Sequence, residues 1–250
     1  MDNKYLVPHD FRPGVLNRET CFGKLKTREG DVPVLRESIG IVPQEDWRDA
    51  LEEYKPTCRE LIWNTYSQGS VGSCASEGFN KSLETIREYR GYKRIEFNPY
   101  FAYHTVSGGR DGGSSLDSNV KFGIETGACP RSVWDRNKGW RREPSEEAYE
   151  AAYNYRLDEC FDIDNTNTRQ FHLEIGSALL KGFCVYAGYT GHAILLITLV
   201  YKNGTWYAEY QNSWGSSWGD NGKGLLKFSS IRRGYGAFVP RTTTFEALST

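Results

Sequence analysis

Gln68-Gly69-Ser70-Val71-Gly72-Ser73-Cys74 runs from a glycine-rich loop into a segment of helical period, and the reading of the whole chain turns on it. Beyond it Phe79, Leu83, Ile86 and Tyr89 recur at intervals of four, three and three, which gives one apolar face. With Ser73 as a capping residue, the spacing predicts a helix from Ser73 to Tyr89 that Gly91 stops. A cysteine in the first turn of a helix meets unpaired amide N–H groups and the positive end of the dipole, and both favour thiolate. Most single cysteines are small buried apolar residues, and Cys21, Cys58, Cys129, Cys160 and Cys184 read that way. The glycine-rich loop and the glutamine upstream set Cys74 apart.

Working outward, a second phrase follows at Gln211-Asn212-Ser213-Trp214-Gly215-Ser216-Ser217-Trp218-Gly219, with Gly191-His192-Ala193 between the two. Together these supply a glutamine, a cysteine, a histidine and an asparagine in that order, the parts needed to attack a carbonyl through a thiolate. His192 opens an apolar strand, and its small neighbours leave space around a ring at a cleft wall. His9, His104 and His172 have no comparable context.

On these residues the chain resembles the papain-like cysteine peptidases. The resemblance implies that Cys74 is the nucleophile and His192 its proton partner. It also implies that Asn212 orients the imidazole and that Gln68, with the Cys74 backbone N–H, stabilises an oxyanion. Trp214 would shield the His–Asn bond from water, and Trp218, Gly215, Gly219 and Gly222 continue the match. Gly112 and Gly113 resemble the family's glycine pair, whose backbone binds extended substrate. With Gly191 and Trp214 they make up the expected substrate-binding set. Asp46-Trp47-Arg48 and Gly127-Ala128-Cys129-Pro130 extend the similarity, which runs from Asp46 to Phe228. The implied fold is α+β and two-lobed, with the cysteine on a helical lobe and the histidine and asparagine on an antiparallel β lobe.

The remaining pattern agrees with that architecture. Helices are predicted from Ser115 to Thr126, from Ser145 to Leu157 and from Arg169 to Lys181. Strands follow at Phe183–Tyr189, His192–Tyr201, Thr205–Tyr210 and Gly224–Phe228, with tight turns at Thr190-Gly191 and Asn203-Gly204. Residues 1–44 carry Pro8, Pro13, Pro33 and Pro43 and read as an arm that packs on the body or docks a protein partner. Residues 45–240 form the peptidase domain and 241–250 a tail.

Four departures from the family stand out. Val71 occupies a position where many secreted members have a disulfide cysteine. Ala75 follows the nucleophile where an aromatic residue is usual. Only Thr190 and Gly191 precede His192 where a long excursion is common, and the arm differs from a typical inhibitory propeptide.

Charge and composition narrow the functional classes. With 31 basic and 32 acidic residues there is no global field to recruit nucleic acid or an anionic membrane. No apolar run is long enough to span a bilayer, and the N-terminus has no signal-peptide core. The six cysteines lack metal-ligand spacing. Expected are free thiols, a cytoplasmic location or a particle assembled there, a peptide or protein substrate, and no metal or organic cofactor. Two alternatives keep the same residues. One is an amidase or acyl transferase, and the other is a papain-like binding or structural module without catalysis.

Overall fold

The computed structural model describes residues 40–56, 58–163 and 166–243. Six helices and six strands make an α+β domain: α1 (Trp47–Tyr54), α2 (Cys74–Tyr89), α3 (Pro99–Val106), α4 (Leu116–Glu125), α5 (Glu146–Tyr153), β1 (Leu157–Asp162), α6 (Thr168–Leu180), β2 (Val185–Tyr189), β3 (His192–Lys202), β4 (Thr205–Gln211), β5 (Lys223–Lys227) and β6 (Ala237–Thr243). The strands form one antiparallel sheet in the order β1-β6-β2-β3-β4-β5.

Local chemistry sets most boundaries. The α2 helix ends as expected. The Tyr92 N–H reaches Arg87 O and the Gly91 N–H reaches Glu88 O, with Gly91 at φ 73°, a Schellman closure that a left-handed glycine permits. At α4, the Ser115 hydroxyl oxygen accepts from Ser118 N–H. The β2–β3 hairpin pairs Tyr189 with His192 directly, so Thr190 (φ 52°) and Gly191 (φ 97°) are its whole turn. That tight turn places His192 as the first residue of β3.

Three expectations need adjusting. The helix expected to reach Leu157 ends at Tyr153, because the chain is taken up at Leu157 by β1, which pairs with β6. Neither β1 nor β6 has a hairpin partner next to it in sequence, so only the tertiary fold creates them. The α3 helix was not expected, although Asn98 caps it and Pro99 opens it. Finally, Cys58 and Cys184 are not free thiols. A disulfide joins them across 126 residues. Cys74, Cys129 and Cys160 are buried and take no part in a disulfide. The bond removes the argument from free thiols to a reducing compartment.

The sheet is covered on both faces, since His192 through Ile197 are buried without alternation. The α2 helix packs against β2, β3 and β6, while α6 packs on β2 and β3 and carries α1. Most of the expected arm lies outside the described residues. Its end already belongs to the body: Val42 is buried, its N–H donates to Ser177 Oγ, and its carbonyl accepts from Trp47 Nε1. The β6 strand runs to Thr243, three residues past residue 240, the expected end of the domain. Among the described residues, no helix is long and apolar enough to cross a membrane.

Trp47 anchors α1. It is fully buried, edge-on to Trp206 and Phe228, and sits flat against Gly176 of α6. A Cβ at Gly176 would lie 2.1 Å from Trp47 Cζ2. Alanine there gains ~1 kcal/mol of helix propensity. The clash with a rigid indole outweighs that gain, so Gly176→Ala should lose roughly 1–3 kcal/mol net in urea unfolding.

Candidate active site

The two sequence phrases are joined by backbone. Ser67 and Trp214 form an antiparallel bridge, the Gln68 N–H donates to Ser213 O at 2.8 Å, and the Gly215 N–H donates to Tyr66 O at 2.9 Å. Side chains reinforce the join. The Ser213 hydroxyl donates to Gln68 Oε1 at 2.6 Å, and Gln68 Nε2 donates to Val71 O at 2.7 Å. Gln68 is thus fully buried and held at both ends of its amide, beside the loop that delivers Cys74.

Cys74 is the first residue of α2, with Ser73 at the cap position. The Ser73 hydroxyl turns to Glu77 Oε1 at 2.9 Å and does not cap an N–H. Cys74 and Gly78 share a helix face. Gly78 lies against Tyr186 and the Ala193 carbonyl, where an added Cβ would approach to 3.3 Å and 3.9 Å. The face that carries Cys74 therefore meets β3 next to His192. Ala75 is buried and its carbonyl accepts from Tyr186 Oη at 2.9 Å, so β2 supplies an aromatic ring where α2 supplies only a methyl.

His192 is fully buried. Its Nε2 lies 3.3 Å from Asn212 Oδ1. A carbonyl oxygen only accepts, so Nε2 carries the proton and Nδ1 presents the lone pair. Trp214 stacks on the imidazole, with centroids 5.0 Å apart and planes 19° apart, and Trp218 meets Trp214 edge-on. Asn212 is fixed in turn, because its N–H donates to Gly222 O and its Oδ1 accepts from Ser213 N–H. Gly222 has φ 80°, and a Cβ there would strike Thr65 at 2.4 Å, so this close approach requires glycine.

Burial pulls the His192 pKa down to about 3, a shift the Asn212 hydrogen bond only partly opposes. An isolated imidazolium is therefore disfavoured in this place, and a positive ring needs a compensating anion beside it. Gly113 sits against the cysteine loop, its N only 3.2 Å from where a Cβ on Gly72 would stand, while a Cβ on its neighbour Gly112 would meet nothing within 4 Å. Gly191 is confined to the hairpin turn. Among the described residues, no group of three or more His, Cys, Asp or Glu side chains could hold a metal ion.

Sequence reasoning passed over an ion pair at the heart of the site. Glu77, one turn beyond Cys74, is fully buried and paired through both oxygens with Arg136, at 2.8 and 2.5 Å. Arg136 also donates to Ser67 O at 2.7 Å and lies over the Tyr100 ring at 4.3 Å. Burial alone would lower the guanidinium pKa, but the Glu77 carboxylate more than offsets it. The partners are 59 residues apart, and no local pattern signals them. Arg136→Met leaves a buried carboxylate without its cation, and chemical denaturation should register a loss of about 3–5 kcal/mol. Adding Glu77→Gln should recover part of it.

No family model matches the chain. A curated protein of Blomia tropicalis named cysteine protease is 24% identical over 251 residues, which cover 89% of this chain and 72% of that protein. Among solved structures, xylellain, a cysteine protease from Xylella fastidiosa, aligns with a TM-score of 0.60 at 15% identity, over 98% of this chain and 99% of its own. The digestive procathepsin L 3 of Tenebrio molitor aligns with a TM-score of 0.59 at 14% identity, over 74% of this chain and 67% of its own. The clostridial cysteine protease Cwp84 gives 0.63 at 13% identity, over 75% and 57%. The chain has the papain-like fold, and its sequence is similar to that of a cysteine protease.

Proposed function

We propose that the chain is a thiol peptidase in which Cys74, His192, Asn212 and Gln68 carry the reaction. The observation that carries this reading is the join between Gln68 and Ser213. It puts the amide, the asparagine and the stacked His192–Trp214 pair on one frame around the start of α2. The Cys74 thiol gives its proton to His192 Nδ1, and the thiolate attacks a peptide carbonyl carbon. The negative oxygen that forms accepts from the Cys74 N–H and from the Gln68 N–H not engaged with Val71. As the intermediate collapses, the C–N bond breaks and the departing amine takes the proton from His192. A water then gives a proton to Nδ1 and attacks the thioester, and the acid leaves as the proton returns to sulfur. An extended substrate lies along Gly112 and Gly113, with Gly191 and Trp214 at the opposite wall.

The low pKa that burial imposes on His192 adds a constraint. Proton transfer from sulfur creates both charges together, and each is the other's only adequate solvent substitute. Replacement of Cys74 by Ala should therefore leave His192 neutral from pH 8 down to below 5 when followed by carbon-13 chemical shift. A ring titrating near its ordinary value in that variant would contradict the coupling.

Burial also pushes the Cys129 thiol up to about 12 and raises that of Cys160, which leaves both unreactive. Iodoacetamide near pH 6 should accordingly label Cys74 first, and His192→Ala should slow that labelling. Gln68→Ala should cut peptide hydrolysis by roughly 10²–10³-fold while alkylation of the thiol persists. Labelling of Cys74 no faster than that of the other thiols would mean the reading is wrong.

A further inference from the structure

Three segments meet at the Asp111 carboxylate. Its Oδ1 accepts from the Gly72 N–H at 2.8 Å and from the Tyr103 hydroxyl at 2.8 Å. The same hydroxyl oxygen accepts from the Gly113 N–H at 3.1 Å. Tyr103 is a firm base for this arrangement, because it is fully buried on α3 and packs on Trp140 with ring centroids 5.4 Å apart. Burial, and after it the Asp111 bond, raise the tyrosine pKa, so the hydroxyl stays a donor at neutral pH. Gly72 is two residues before Cys74. A Cβ there would lie 3.1 Å from both Asp111 Oδ1 and Tyr103 Oη, so a side chain at this position would push loop and clamp apart by a few tenths of an ångström. Val71 offers no sulfur to tie this loop, and among the described residues the disulfide lies elsewhere, between Cys58 and Cys184.

We propose that Asp111 and Tyr103 are positioning residues, a hydrogen-bonded clamp that fixes the Gly112–Gly113 backbone at a set distance from the loop bearing Cys74. The assignment deepens the peptidase reading and rests on it for its consequence. Through its bonds to the Gly72 and Gly113 N–H groups the clamp holds the rail on which an extended substrate would lie, and Cys74 acts on Tyr103 only as the smallest of the charges that raise its pKa. Its loss should therefore harm reactions that use the rail far more than those that use only the thiol. Charge-assisted bonds to a backbone N–H are among the stronger ones, and one oxygen here takes two donors.

The test compares Asp111→Ala, Asp111→Asn and Tyr103→Phe in the full chain by three readouts. Amide hydrogen exchange reports on residues 69–74 and 108–115. Iodoacetamide alkylation reports on Cys74, and a fluorogenic peptide library reports hydrolysis. Asp111→Ala should speed exchange in both segments and lower kcat/KM about tenfold, mainly through KM, with alkylation within about twofold. Asp111→Asn keeps a carbonyl oxygen that accepts both bonds, and it should restore exchange protection and KM. Tyr103→Phe should loosen residues 108–115 more than residues 69–74. Unchanged exchange and KM in Asp111→Ala would overturn the clamp. So would an Asn variant as impaired as the Ala variant, or alkylation that falls in step with hydrolysis. A wild-type chain that alkylates at Cys74 but cleaves no peptide would sink the peptidase reading instead, and the exchange comparison would still decide the clamp.

Discussion

Three residues of the glutamine loop pair with three of the asparagine turn, and the site hangs on that short bridge. Tyr66, Ser67 and Gln68 meet Ser213, Trp214 and Gly215 through two backbone hydrogen bonds, and the Ser213 hydroxyl adds a third to the glutamine amide. Neither segment belongs to a regular strand, so each would be free to wander without the other. With the two joined, Trp214 lies over His192, and Asn212 is held at the Nε2 edge of the imidazole. The glycines of the second phrase follow from the same constraint. Gly219 and Gly222 sit where any Cβ would strike Lys223 O or Thr65. Their spacing is a consequence of folding the turn back tightly enough to reach the loop.

A second constraint comes from α2, which is buried from Cys74 to Arg87 on its polar side as well as its apolar one. Charges that would normally face water are paired inside. Glu77 is held by Arg136. Lys81 lies over the Tyr66 ring and pairs with Glu84 at 2.5 Å, and Glu84 also accepts from the Phe97 N–H and the Tyr66 hydroxyl. Burial pulls Lys81 down and pushes Glu84 up, and each partner opposes the shift of the other. Such pairs add little net stability over an apolar core, but removing one member is costly. They do fix orientation. Arg136 reaches the Ser67 carbonyl, so the first turn of α2 and the glutamine loop share one cation.

What the sequence revealed and what it hid divide along a physical line. Features set by neighbours in the chain were legible: the α2 period, the stop at Gly91, the two-residue turn before His192, and the cap at Ser115. The candidate site residues drew attention for a related reason, because glycines surround them and close approach requires some of those glycines. Features set by distant partners were not legible. The apolar face of α2 was plain, but Glu77, Lys81 and Glu84 look like solvent-facing charges until Arg136 and Tyr66 arrive. Cys58 and Cys184 carry no local mark of their bond, and β1 and β6 form only through distant pairing, β1 with β6 and β6 also with β2. The α3 helix is different, since Asn98-Pro99 was an available signal.

Burial finally decides how acid and base chemistry must be divided at the site. Cys74 and His192 are both removed from water, and each charged form is costly alone. A neutral thiol beside a neutral imidazole avoids both costs, and a thiolate beside an imidazolium offsets them mutually. The two mixed states have no such relief. In the proposed mechanism the pair would therefore exchange its proton as a unit, with the Asn212 oxygen selecting the nitrogen that takes part by occupying the other. Trp214 does not supply charge. Stacked on the ring, it covers one face of the imidazole, and in the proposed mechanism that cover would help to confine the proton to the line between sulfur and Nδ1.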